Sequence, residues 1–256
     1  MRRTLLALAL VGPLLIFLLA ACAGRESTWD RVQRSGVLRV GLDPTYPPFE
    51  FYDGEALYGL DVDLSRAIAA EMDLTAEFSH FGFDGLYDAL ATEQVDALIS
   101  ALTPDVSRTR DFAYSDGYIE SGLVLVSPAT HALSRAPELR NRRVAVELGA
   151  AGHVQATTWQ RQVQDLAIST FTSSDEALQA LRDGQADAAI VDNITYRLFD
   201  KSAGTAELVA APINSEPYAV VVRRDDSELL AEINQALAIL RNSGRLDSIL
   251  NSWLSG

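Results

Sequence analysis

FDGLYDALATEQVDALIS, residues Phe83 to Ser100, lies over SDEALQALRDGQADAAIV, residues Ser174 to Val191, without a gap, and seven positions are identical. They are Asp84/Asp175, Ala89/Ala180, Leu90/Leu181, Gln94/Gln185, Asp96/Asp187, Ala97/Ala188 and Ile99/Ile190. Convergent helix–turn–strand composition is one explanation of so short a match. The opening runs VLRVGLD and RVAVELG also correspond in pattern, which favours the other: two lobes of like architecture, each a small α/β sheet. Asp96 and Asp187 recur inside the repeat and read as structural.

The rest of the pattern agrees. VLRVGL, LTAEFSHF, VDALIS, RVAVEL, LAISTF, ADAAIV and YAVVV read as strands. Leu60, Leu64, Ile68 and Met72 recur at helical spacing between charged residues. Asp226 or Ser227 caps a helix carrying Leu229, Leu230, Ile233, Leu237 and Leu240, and Gly244 separates it from a last helix with Leu246, Ile249, Leu250 and Trp253. Strands alternating with helices imply an α/β fold with largely parallel sheets. Ligands of open α/β sheets bind beyond the carboxyl ends of the strands. Two facing lobes would set Asp43, Ser100, Gly149 and Asp192 around one cleft.

The amino terminus reads as an export signal. A basic MRRT precedes an apolar stretch, Leu5 to Ala21, that ends in small residues. Leu19-Ala20-Ala21-Cys22 resembles a bacterial lipobox, in which Cys22 becomes the lipid-bearing first residue. Residues 1–21 are thus expected to be a signal peptide and 22–35 a lipidated tether. Cys22 is the one cysteine, so no internal disulfide is expected. Removing Arg2 and Arg3 takes the formal charge from −14 to −16. Such an acidic chain repels phosphate backbones, so nucleic acid is not an expected partner.

LRVGLDPTYPPFEF, YGLDVDLSRAIA and FDGLYDAL…VDALISALTPDVSRTRDFAYSDGYIESGLVLV together resemble the bacterial extracellular solute-binding proteins, family 3. These are the periplasmic polar amino-acid-binding proteins and lipoproteins that feed ABC importers. The resemblance runs from about Val37 to Trp253. It implies a two-lobed periplasmic-binding-protein-like (type II) fold with a two-strand hinge. Lobe 1 would be discontinuous (36–119 and 218–256), lobe 2 would span 120–217, and the crossings would fall near 118–122 and 215–219. It also implies a monomer outside the cytoplasmic membrane that delivers an amino acid to an ABC transporter permease, with no cofactor.

Site residues carry over by position. A ligand α-carboxylate suits a bidentate guanidinium, which in the family lies five residues after a hydroxyl residue; Thr103 and Arg108 match, and Arg110 falls at a variable position. Asp192 matches the acid that accepts the α-ammonium, completed by oxygens between Ser100, Ala101 and Thr103; it could equally cap the helix that follows. Tyr46 and Phe83 match two aromatic stacking positions, with Asp43 at the side-chain end. The second-lobe turn departs from the family pattern. Gly149-Ala150-Ala151-Gly152 has no hydroxyl, so backbone N–H groups alone remain for the anion. One charged hydrogen bond fewer is worth about 1.5–3 kcal/mol. Glu147, Asp43 and Asp192 set three carboxylates against Arg108, which leans toward a ligand with a basic or amide side chain.

Two other classes compete. Some proteins of this fold dehydrate cyclohexadienyl acids or arogenate, and an enzyme would need a general acid; Glu147 and His153 are the candidates. The three histidines, His80, His131 and His153, form no metal-ligand pattern. A ligand-sensing module is the third class, and the ending Trp253-Leu254-Ser255-Gly256, with no second apolar span, argues against a one-piece sensor.

Overall fold

A computed structural model describes residues 26–203 and 207–254. The expected signal peptide and Cys22 lie outside the described residues. Helix α1 (Thr28–Ser35) follows a capping box in which Ser27 and Asp30 exchange side-chain-to-backbone hydrogen bonds. Val32 is fully buried and Trp29 packs on the lobe-1 core. The tether expected over 22–35 is therefore corrected at its distal end. Thr28–Ser35 is a docked helix, because Val32 and Trp29 bury apolar surface on its inner face.

From there the chain runs through β1 (Val37–Leu42) and a meander of β2 (Thr45–Tyr46), β3 (Glu50–Asp53) and β4 (Ala56–Tyr58). Next come α2 (Leu60–Glu71), β5 (Thr75–His80), α3 (Leu86–Ala91), β6 (Ala97–Leu98) and β7 (Phe112–Tyr114). Strand β8 (Ile119–Glu120) makes the first crossing. The second lobe holds β9 (Leu123–Pro128), β10 (Arg143–Glu147), α4 (Ala151–Gln160), β11 (Ala167–Phe171), α5 (Ser174–Arg182), β12 (Ala188–Asp192), α6 (Asn193–Ala203) and β13 (Leu208–Pro212). Strand β14 (Pro217–Tyr218) returns antiparallel to β8, and β15 (Val221–Arg223), α7 (Ser227–Asn242) and α8 (Arg245–Leu254) rejoin lobe 1.

The two five-stranded sheets have equivalent orders, β5-β1-β6-β15-β7 and β11-β10-β12-β9-β13. In each, four strands run parallel and the fourth in order, β15 or β9, runs antiparallel to both of its neighbours. Helices cover both faces of each sheet over separate apolar clusters, as parallel strands require. The molecule is a mixed α/β protein of the two-lobed type II architecture.

The repeat is structural. The Asp96 carboxylate accepts the Arg39 N–H at 3.0 Å, and the Asp187 carboxylate accepts the Arg143 N–H at 2.8 Å. Gln94 N–H reaches Ala89 O at 3.0 Å, as Gln185 N–H reaches Ala180 O at 2.9 Å. The copies differ in burial. Asp96 is enclosed and takes Arg31 at 2.5 Å and Arg39 at 2.6 Å, whereas Asp187 is 46% exposed with Arg142 at 3.8 Å. Asp226 does not cap α7 with its side chain; its carboxylate pairs with Arg223 at 2.7 Å.

Candidate functional site

Between the lobes, beside the crossings, lies a cleft of about 440 Å³. Lobe 1 gives it the Tyr46–Phe49 loop, Ala101 and Thr103; lobe 2 gives Asp192, Ile194, Thr195 and Leu198; the crossings give Ser121, Glu216 and Tyr218. Its wall is aromatic: Tyr46 stacks on Phe49 at 5.3 Å, and Phe49 meets Tyr218 edge-on at 5.4 Å. Burial, reinforced by the neighbouring Tyr46, holds the Tyr218 phenol well above its ordinary value. Among the described residues, the cleft lining contains two carboxylates, Asp192 and Glu216, and no lysine, arginine or histidine. A larger pocket of about 760 Å³ lies around Glu26–Arg31, Arg110 and Arg223–Leu229. It belongs to lobe 1 alone and contains none of the residues matched to the family's site.

Four sequence-predicted residues meet in the cleft: Tyr46, Ala101, Thr103 and Asp192. Asp192 stands at the end of β12, and its two oxygens accept the Thr195 N–H at 2.7 Å and the Thr195 hydroxyl at 2.6 Å. It caps α6 while facing the cavity. Close by, a Cβ on Gly152 would fall 2.3 Å from Ile190 O. Only glycine lets the first turn of α4 approach β12 so closely.

The other predicted residues lie outside that cavity. Ser100 is buried behind it, accepting the Asp43 N–H at 3.1 Å and donating to Glu50 at 2.5 Å. Asp43 is half-buried beside it, and Phe83 is 58% exposed on the short 3-10 turn before α3. Arg108 has its guanidinium 4.2 Å over the Tyr87 ring and 3.3 Å from Asp105, and does not line the cleft. Gly149 takes φ +85° and donates to His153 Nδ1 at 3.1 Å, Ala150 is the N-cap of α4 with no side-chain bond, and Ala151 opens the helix, exposed. Glu147, expected to face the ligand side chain, does not line this cavity. Its carboxylate accepts the Ser174 N–H at 3.0 Å and hydroxyl at 2.9 Å, tying β10 to α5. Glu147 and His153, the two candidate general acids, are thus both engaged in local structure.

Beneath the cleft floor lies a cluster that motif spacing missed. Asp61 is fully buried on α2 and accepts the Ala101 N–H at 2.6 Å; Glu50 is 1% exposed on β3. Burial, with the Asp61 charge beside it, pushes the Glu50 carboxyl far above the ordinary carboxylate range, and burial raises Asp61 less. The sequence signal was the helical stripe itself: Asp61 sits on the same face as Leu64 and Ile68, where a solvated acid does not belong. Ala101, held by Asp61, takes φ +46°, a left-handed conformation that costs a non-glycine residue about 1–2 kcal/mol.

Two like lobes, two crossing strands and a polar cleft at the hinge define a two-lobed solute receptor of the periplasmic-binding type. The sequence matches the bacterial extracellular solute-binding proteins, family 3, over residues 38–256, and the chain belongs to that family. It is 26% identical over 253 residues to the arginine-binding extracellular protein ArtP of Bacillus subtilis, covering 97% of each chain. It is 28% identical over 254 residues to the L-cystine-binding protein TcyJ of Escherichia coli K12, covering 96% of this chain and 94% of that one. Among solved structures it resembles an ancestral cationic amino acid solute-binding protein, AncCDT-1, at 30% identity and a TM-score of 0.65, covering 90% of this chain and all of that one.

Proposed function

We propose that this protein is an extracytoplasmic receptor, lipid-anchored through Cys22, that captures an amino acid with a basic or amide side chain. It hands that ligand to an ABC transporter permease. The observation that carries the reading is the cleft itself: both lobes line it, and its charged groups are Asp192 and Glu216 with no cation among them. A buried ammonium or guanidinium finds acceptors there, whereas a second ligand carboxylate would meet like charge. The names of the arginine-binding and cationic relatives support the same side-chain class. The reading rests no longer on Glu147, whose carboxylate serves α5.

Asp192 is assigned the α-ammonium, with the backbone of Ala101 and the Thr103 hydroxyl beside it. Arg108 is assigned the α-carboxylate, for which its guanidinium must leave Tyr87 and Asp105. Tyr46 and Phe83 flank the side chain, with Asp43 at its far end, and the N–H groups of Gly149, Ala150 and Ala151 approach the anion from lobe 2. Ligand contact with both lobes shifts the hinge toward a closed form.

Titration calorimetry with a panel of amino acids tests this. Arginine, lysine or glutamine should bind more tightly than glutamate or aspartate. Preference for the acidic ligands would reverse the side-chain assignment, and silence across the panel would remove the amino-acid reading.

A further inference from the structure

The Glu50–Asp61 pair is built into the floor of the cleft, and its role is open to argument from geometry. Glu50 Oε1 accepts the Ser100 hydroxyl at 2.5 Å, and one Asp61 oxygen accepts the Ala101 N–H at 2.6 Å. Their other oxygens, Glu50 Oε2 and Asp61 Oδ1, are buried and have no hydrogen-bond partner as two carboxylates. Two enclosed like charges would be strongly unfavourable side by side. One proton between them removes the repulsion and supplies a donor; the buried Tyr118 hydroxyl beside Asp61 is a second donor, but it carries no charge to offset the two carboxylates. The groups that face the pair are Asp43 from the loop after β1 and Tyr118 at the first crossing, which Tyr218 on β14 adjoins in turn. None of these supplies a positive charge.

We infer that Glu50 and Asp61 share a single proton, and that this pair is the positioning element that fixes the left-handed Ala101 backbone at the ligand site. The proton resides on Glu50, which donates to Asp61; Asp61, ionised, grips the Ala101 N–H. Through Ser100 the same pair ties the end of β6 to the start of the Asp43 loop. The inference rests on the cleft being the ligand site, but only for its second half. Proton sharing is a property of the unliganded protein.

The full chain is therefore compared with Glu50→Gln, Asp61→Asn and the double variant, using two readouts. The first is thermal melting without ligand from about pH 5 to about pH 9. Folded Glu50 keeps a proton that the unfolded chain releases above the ordinary carboxylate range. Wild-type stability falls as pH rises through this window, and Glu50→Gln, a permanent mimic of the protonated acid, loses that slope. Equal slopes in the two proteins would overturn the inference. So would a slope that changes when sodium replaces potassium, because a cation would then hold the pair together.

The second readout is arginine affinity at neutral pH. Each single amide leaves one hydrogen between the facing atoms and should bind within about fivefold of wild type. The double variant sets two NH₂ groups face to face and should lose about a hundredfold. Single and double variants of equal affinity would refute the positioning role. Should the double variant not fold, the melting slopes still decide proton sharing, and Asp61→Ala, which frees Ala101 outright, decides positioning: undiminished affinity in it refutes the role. A wild type that binds no amino acid would overturn the function assigned to the cleft, with the melting comparison still deciding the pair.

Discussion

At the scale of single residues, Arg108 and Arg110 lie two positions apart and do different things. Arg108 stacks on Tyr87 beside Asp105, while Arg110 lines the lobe-1 pocket distant from the cleft. Arg108→Ala should weaken amino-acid binding by about 1.5–3 kcal/mol, the worth of hydrogen bonds to a charged group. Arg110→Ala should leave calorimetric affinity within about twofold, as an exposed charge does. The reverse result would place the clamp at Arg110. Residue spacing made Asp192, Thr103 and Tyr46 legible as neighbours, because each stands at or just beyond a recognisable strand end. It could not show where a flexible arginine rests. Nor did it show that Glu147 meets Ser174, since that contact depends on how β10 packs against the start of α5.

At the scale of elements, the repeated aspartates joining strand to strand are unequal. Burial alone would raise the Asp96 carboxyl, but hydrogen bonds from Arg39 and Arg31 outweigh it and hold the group below its ordinary range. The stability it contributes is present above about pH 4 and lost as pH falls through its folded value. Asp96→Ala should destabilise the fold by about 3 kcal/mol in urea melts, leaving two arginines facing an empty pocket. The more exposed Asp187→Ala should cost about 1 kcal/mol or less. Glu147→Ala should destabilise by about 1 kcal/mol through the start of α5, with amino-acid affinity unchanged. A large loss of affinity without destabilisation would restore Glu147 to the binding site. Most helices and long strands were legible from periodicity. The β2–β4 meander was not, because its strands are short and its residues alternate weakly; neither was α1, whose few apolar residues find their partners only in the folded lobe.

At the scale of the whole molecule, the crossings meet closely: a Cβ on Gly122 would fall 2.8 Å from Asn214 O, and the Ser121 hydroxyl donates to Glu216 O at 2.6 Å. The crossings are two short antiparallel segments joining two separate sheets, so lobe closure is expected to bend there. Small-angle scattering should show a smaller radius of gyration with saturating ligand, and an unchanged radius would count against closure. The equivalence of the lobes was legible in the repeat, whereas the exchange at the fourth strand was not. Lobe 2 takes β9 from just after the first crossing, and lobe 1 takes β15 from just after the second. That exchange sets an order of assembly for a chain delivered amino terminus first. Lobe 2 is complete once Pro212 has emerged. Lobe 1, begun earlier, keeps a gap between β6 and β7 until Val221–Arg223 arrives. Its unpaired strand edges stay open the longer, so the half of the protein made first is the last whose sheet can close.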